Sequence, residues 1–177
     1  IGGIFVGSWT DKSILTSGAA ARISKSAKTP LMVTVDQEGG RVQRMGPPHW
    51  PKYPPGAAYL KATNELAQAR ELTRLGARLM AHDLREVGVT VDLLPVLDVP
   101  APGAHDIIGD RAYAQDPATV TQLGRAAAEG LLAGGVLPII KHIPGHGRAF
   151  SDSPTTCRWS RRRSRNWTPG TSPRSRP

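Results

Sequence analysis

An alternation constrains this chain more than anything else in it. Short runs rich in Ile, Val and Leu are separated by stretches with apolar residues at helical spacing. Residues 1–6, 31–35, 89–99 and 136–140 read as strands. Residues 12–26, 64–87 and 117–133 read as helices, the last with Asp116-Pro117 as N-cap and first-turn pair. In the 64–87 helix, Leu66, Leu72, Leu75, Leu79 and Leu84 mark the expected apolar face. Residues 47–56, with five prolines, and residues 101–113, rich in Gly and Asp, read as loops. Strands that are apolar almost throughout are covered on both faces, so the order βαβαβαβ predicts an α/β fold with a parallel sheet.

A doubly wound sheet and a (β/α)8 TIM barrel share that pattern, and two features favour the barrel. No Gly-rich dinucleotide turn follows any strand. Polar residues gather where three strands end: Asp36-Gln37-Glu38, Asp98 and Lys141-His142. Barrels carry their active sites on that face, and at roughly 250 residues per barrel this chain corresponds to about half to two-thirds of one. The expected fold is therefore an incomplete barrel of parallel strands. The opening IGGIFVG has neither Met nor a basic leader region, so it reads as a chain already under way and not as a signal peptide.

Charge divides the chain in two. The formal net charge is +9, but residues 154–177 hold seven arginines and no acidic residue, leaving only +2 on residues 1–153. The expected organisation is a folded region over 1–153 and a basic, disordered or out-of-frame tail over 154–177. No run approaches the ~18 apolar residues of a membrane-spanning helix. The single cysteine, Cys157, excludes a disulfide framework.

Three segments concentrate groups capable of chemistry. KHIPGHGRAFSDS, residues 141–153, places Lys141 and His142 at a strand end, with Pro144, Gly145 and Gly147 bending the chain to bring His146 near. That segment admits a solvated strand-to-helix loop, a metal site with His142 and His146 as ligands, or a Schiff-base lysine at Lys141. DQEGGRVQR, residues 36–44, ends a strand on Asp36, turns sharply at Gly39-Gly40 and turns Arg41 and Arg44 toward a polar ligand. IIGDRAY, residues 107–113, displays Arg111 on a loop. An aspartate among Arg, Lys and His donors suits a polyhydroxylated ligand, because a carboxylate accepts from two hydroxyls at once; it also suits a phosphate.

DQEGGRVQR, IGDRAY and KHIPGHG followed by Asp-Ser, together with PVLDV at residues 95–99, resemble the bacterial β-N-acetylhexosaminidases of glycoside hydrolase family 3. The resemblance covers roughly residues 1–153. It implies a (β/α)8 barrel, no metal or organic cofactor, and a bacterial cytoplasmic or cell-envelope location. The implied partner is an oligosaccharide containing N-acetylglucosamine, from cell wall or chitin. The implied reaction is retaining release of terminal β-linked N-acetylglucosamine by double displacement, with β-glucosidase-type specificity as the alternative within the family. The implied sugar-binding residues are Asp36, Arg44, Arg111, Lys141 and His142. Asp152 would orient an acid/base histidine two residues later.

At that position the sequence has Pro154, and nothing after it resembles a folded segment: residues 154–177 contain no Leu, Ile, Val or Ala. The nucleophilic Asp of the resembled enzymes is expected beyond residue 177. One explanation is an out-of-frame translation of a GC-rich gene. Asn166-Trp167 must be encoded AAY-TGG, which reads Leu one base earlier, and allowed codons at the break re-read to place a His after Asp-Ser. The alternative is a basic arm in which Arg161, Arg162 and Arg163, flanked by Trp159 and Trp167, contact phosphates and stack on bases. Nucleic acid is the less favoured partner, because such an arm begins by removing the acid/base residue. The expectation for this chain is little or no hydrolysis, with a non-catalytic fragment that binds N-acetyl sugars as the alternative.

Overall fold

The computed structural model describes residues 1–148. Strands β1 (Gly3–Val6), β2 (Met32–Val35), β5 (Val91–Asp92) and β6 (Leu137–Pro138) form one parallel sheet in the order β1-β2-β5-β6. Helices α1 (Ser13–Thr16) and α2 (Ala19–Ser26) connect the first pair, and α5 (Pro117–Ala133) leads into β6. The hairpin β3 (Gln37–Gly39) and β4 (Val42–Gln43) leaves the end of β2. Helices α3 (Gly56–Lys61) and α4 (Leu66–Glu86) follow the proline-rich loop, and a 3-10 turn at Gly109–Arg111 precedes α5. The described strands do not close on themselves, as an incomplete barrel requires.

Val33 and Val35 point from β2 into the core with no exposed surface, beside Leu15, Leu84, Val89 and Leu123. α5 begins as its sequence predicts: Asp116 accepts a hydrogen bond from the Thr119 N–H at 2.8 Å, with Pro117 in the first turn.

Four local expectations change. The helix expected over 12–26 breaks into α1 and α2 at Gly18, whose φ of 69° lies in the left-handed region. The strand expected over 89–99 pairs regularly only at Val91–Asp92; beyond it a single bridge joins Val96 to Lys141, made by the Lys141 N–H to the Pro95 carbonyl at 3.0 Å and the Leu97 N–H to the Lys141 carbonyl at 2.6 Å. The 47–56 loop holds, but a short helix, α3, begins at its last residue.

The fourth change concerns α4. Leu72, Leu75 and Leu79 are exposed, and the buried face is Ala69, Thr73, Ala77, Met80, Ala81 and Leu84. Close approach of α5 sets this choice. A Cβ at Gly130 would lie 2.2 Å from the Arg74 carbonyl oxygen, and one at Gly134 would lie 2.3 Å from Ala81 Cβ. Two helices this close need small residues between them, so the leucines lie on other faces.

Candidate sugar-binding site

β2 ends at Val35, and its next residues carry the acidic half of the site. Side chains alternate along extended backbone, so Asp36 and Glu38 face one way and Gln37 the other. Gln37 is buried; its amide donates to the Met45 carbonyl at 2.9 Å, and its oxygen accepts the Arg44 and Met45 N–H groups at 2.9 Å. That clip fixes the backbone carrying Arg44. The turn between β3 and β4 requires glycine: Gly39 and Gly40 have φ of 88° and 58°, and a Cβ on Gly39 would lie 2.2 Å from the Pro54 carbonyl oxygen.

The basic half comes from two other segments. Lys141 Nζ lies 2.7 Å from Asp36 Oδ1 and 2.5 Å from Glu38 Oε1. Arg111 grips Glu38 with both prongs, Nε to Oε2 and Nη2 to Oε1, each at 2.8 Å. Arg44 Nη2 stands 3.6 Å from Asp36 Oδ2. Burial disfavours the charged guanidinium of Arg111, but the hydrogen bonds to Glu38 outweigh it and raise its pKa.

His142 Nδ1 lies 2.5 Å from Asp98 Oδ2, and its Nε2 is 3.4 Å from Arg111 Nη2. Arginine can only donate, so this contact requires Nε2 to accept and places the ring proton on Nδ1, toward Asp98. Asp98 Oδ1 accepts the His146 and Gly147 backbone N–H groups, the latter at 2.9 Å. Burial raises the Asp98 pKa, yet its bonds to His142 and to these N–H groups hold it below the ordinary 3.8. Asp92, fully buried at the end of β5, accepts only the Gln37 N–H among the described residues, at 3.0 Å, and burial pushes its acid well above 3.8.

All five residues expected to bind sugar meet here: Asp36, Arg44, Arg111, Lys141 and His142. Asp152 and Pro154 lie outside the described residues. Arg41 turns away from the site, donating to the carbonyls of Asp106, Ile107 and Ile108 at 2.7, 3.1 and 3.1 Å. The Schiff-base reading of Lys141 loses support, because an amine engaged by two carboxylates offers protons rather than its lone pair. The His142 and His146 rings lie tilted to each other with centroids 5.8 Å apart, and no group of three or more His, Cys, Asp or Glu among the described residues could hold a metal. Glu38, Gln37, Asp92 and Asp98 were not assigned roles from sequence. For Glu38 the available signal is its position two residues after Asp36 in extended backbone.

Residues 1–166 match the glycosyl hydrolase family 3 N-terminal domain. The chain belongs to this family. It is 42% identical over 160 residues to beta-hexosaminidase LpqI of Mycobacterium tuberculosis, covering 86% of this chain and 38% of that protein. A glycosyl hydrolase of the GH3 family from Mycobacterium smegmatis superposes with a TM-score of 0.75 at 43% identity, over 86% of this chain and 45% of the other. NagZ of Neisseria gonorrhoeae, in a complex with N-trifluoroacetyl-D-glucosamine, gives a TM-score of 0.79 at 29% identity, over 89% of this chain and 47% of the other. The family 3 chain thus spans less than half the length of these relatives. Among its described residues no helix is long and apolar enough to cross a membrane.

Proposed function

We propose that this family 3 chain carries the sugar-gripping part of a retaining β-N-acetylhexosaminidase, acting on terminal β-linked N-acetylglucosamine of cell-wall or chitin-type oligosaccharides. The convergence of Asp36 with Lys141, Arg44, Arg111 and His142 at the strand ends carries this reading. Asp36 keeps about a fifth of its side chain exposed, so a ligand can reach its carboxylate. One carboxylate accepting two vicinal hydroxyls, ringed by donors for the remaining oxygens, is how a protein holds a pyranose without desolvating unpaired groups. The relatives named beta-hexosaminidase and the N-trifluoroacetyl-D-glucosamine complex of NagZ support the same sugar class.

The chemistry assigned to the intact enzyme is double displacement, with a histidine that protonates the leaving oxygen and later deprotonates water. In this chain the residue two after Asp152 is Pro154, which has no proton to transfer. General acid/base help is worth about 10²–10⁴-fold, so the 177-residue chain binds the sugar but turns it over poorly. We read residues 154–177 as out of frame, which sequencing of the gene across codon 154 tests directly.

Titration of the chain with N-acetylglucosamine, alongside an aryl N-acetylglucosaminide assay, tests the binding reading. The expected outcome is saturable binding that Asp36→Ala weakens roughly ten- to hundredfold, the worth of a hydrogen bond to a buried charge, with turnover near background. Binding unaffected by Asp36→Ala, or turnover comparable to an intact relative, would overturn it.

A further inference from the structure

Asp36 is already engaged by cations. Lys141 Nζ occupies one of its oxygens at 2.7 Å, and Arg44 approaches the other at 3.6 Å. A sugar hydroxyl that bonds Asp36 Oδ1 competes with Lys141 for that oxygen. Glu38 is where that ammonium can go: its Oε1 already lies 2.5 Å from Lys141 Nζ, with only 3% of the Glu38 side chain exposed. The same carboxylate is held in place by two 2.8 Å bonds from Arg111, a residue 73 positions away. Glu38 is therefore too buried to take a ligand itself, yet placed to hold both cations beside one.

We propose that Glu38 is a positioning residue that keeps Asp36 open to sugar, by taking over Lys141 when the ligand arrives. Lys141 bridges the carboxylates of Asp36 and Glu38. In the bound site it leans on Glu38 alone and donates a freed N–H to the ligand. No proton moves and no covalent bond changes; one charged hydrogen bond is exchanged for bonds to the sugar. Without Glu38, Lys141 has a single counter-ion, Asp36, and closes the carboxylate the sugar needs. This inference rests on the saccharide reading of the site.

The test is calorimetric titration of the 177-residue chain with N-acetylglucosamine. Glu38→Gln, which keeps shape and removes charge, should weaken binding about tenfold, the worth of one charge-assisted hydrogen bond. Lys141→Met alone should also weaken binding, because it removes a donor to the sugar. Added to Glu38→Gln, the same substitution should strengthen binding, because it unblocks Asp36. That reversal of sign is the decisive readout, since loss of a merely structural contact makes the double variant no better than either single one. Wild-type affinity in Glu38→Gln, or weakening by Lys141→Met in both backgrounds, overturns the proposal while leaving the saccharide reading intact. Absence of binding by the wild-type chain overturns the saccharide reading and the exchange with it. If the circular dichroism of Glu38→Gln departs from wild type, Glu38→Asp replaces it: the shorter carboxylate cannot reach both cations, and the same reversal is expected.

Discussion

Asp92, at the end of β5, and Asp98, in the loop just beyond, are both aspartates sealed from solvent, and their acidities move in opposite directions. Burial acts on each by disfavouring the charged form. Asp92 meets it with one N–H donor, from Gln37, and its acid rises well above 3.8. Asp98 faces the His142 ring and the backbone N–H groups of His142, His146 and Gly147, and its acid falls below 3.8. The difference teaches that depth does not decide whether a carboxyl at these strand ends works as an anion. The number of donors brought to it does. The 141–147 segment bends back over the loop after β5 and supplies them.

Removing Asp98 should therefore do the most damage. Asp98→Ala leaves a histidine and buried N–H groups without their acceptor, at a cost of about 3–5 kcal/mol. Chemical denaturation should show it, and a loss below about 1 kcal/mol would mean that this loop is held by something else.

The next effect is on pH dependence. The folded pKa of Asp98 is lowered, so its stabilisation is complete above 3.8 and is lost as pH falls through the folded value. The folded pKa of Asp92 is raised, so its contribution has the opposite slope: stability falls as pH rises from 3.8 through the folded value. Asp92→Asn imitates the neutral acid and should flatten the upper part of the stability–pH curve while leaving the acid limb in place. A variant that loses stability equally at every pH would show that the charge on Asp92 is not what varies.

Asp116 sharpens the comparison from the exposed end. It too accepts a backbone N–H, and that bond lowers its pKa, but water surrounds it. Asp116→Ala should give the smallest loss of the three, seen as a slight drop in melting temperature from the uncapped start of α5.

The parts of the site legible in the sequence were those that depend only on where strands end. Asp36, Lys141 and His142 follow apolar runs directly, and a parallel sheet brings such positions to one face whatever the intervening chain does. Arg111 and Arg44 were legible through their motifs. Residue type and spacing alone did not separate Arg41 from Arg44; the motif did, and the β3–β4 turn is what sets which of the two nearby arginines looks inward. Asp98 was visible as a strand-end residue, but its role depends on N–H groups from the 141–147 segment, which no local pattern announces. The α4 face was misread for a related reason. Helical period identifies which residues share a face, whereas the choice of inward face came from Gly130 and Gly134 on a different helix.

The contacts that make the site also fix when it can exist during folding. Asp36 meets Lys141 across 105 positions of sequence, Glu38 meets Arg111 across 73, and Asp98 meets His142 across 44. Contacts of such separation carry the largest loop-closure cost and are the slow ones to form. Helices α4 and α5 can appear while these ends are still apart, but the charged cluster assembles only when β2, the loop after β5 and the strand end at Lys141 have all docked in register. If the saccharide proposal holds, recovery of sugar affinity during refolding is a clock for the whole topology, running behind the return of helical signal.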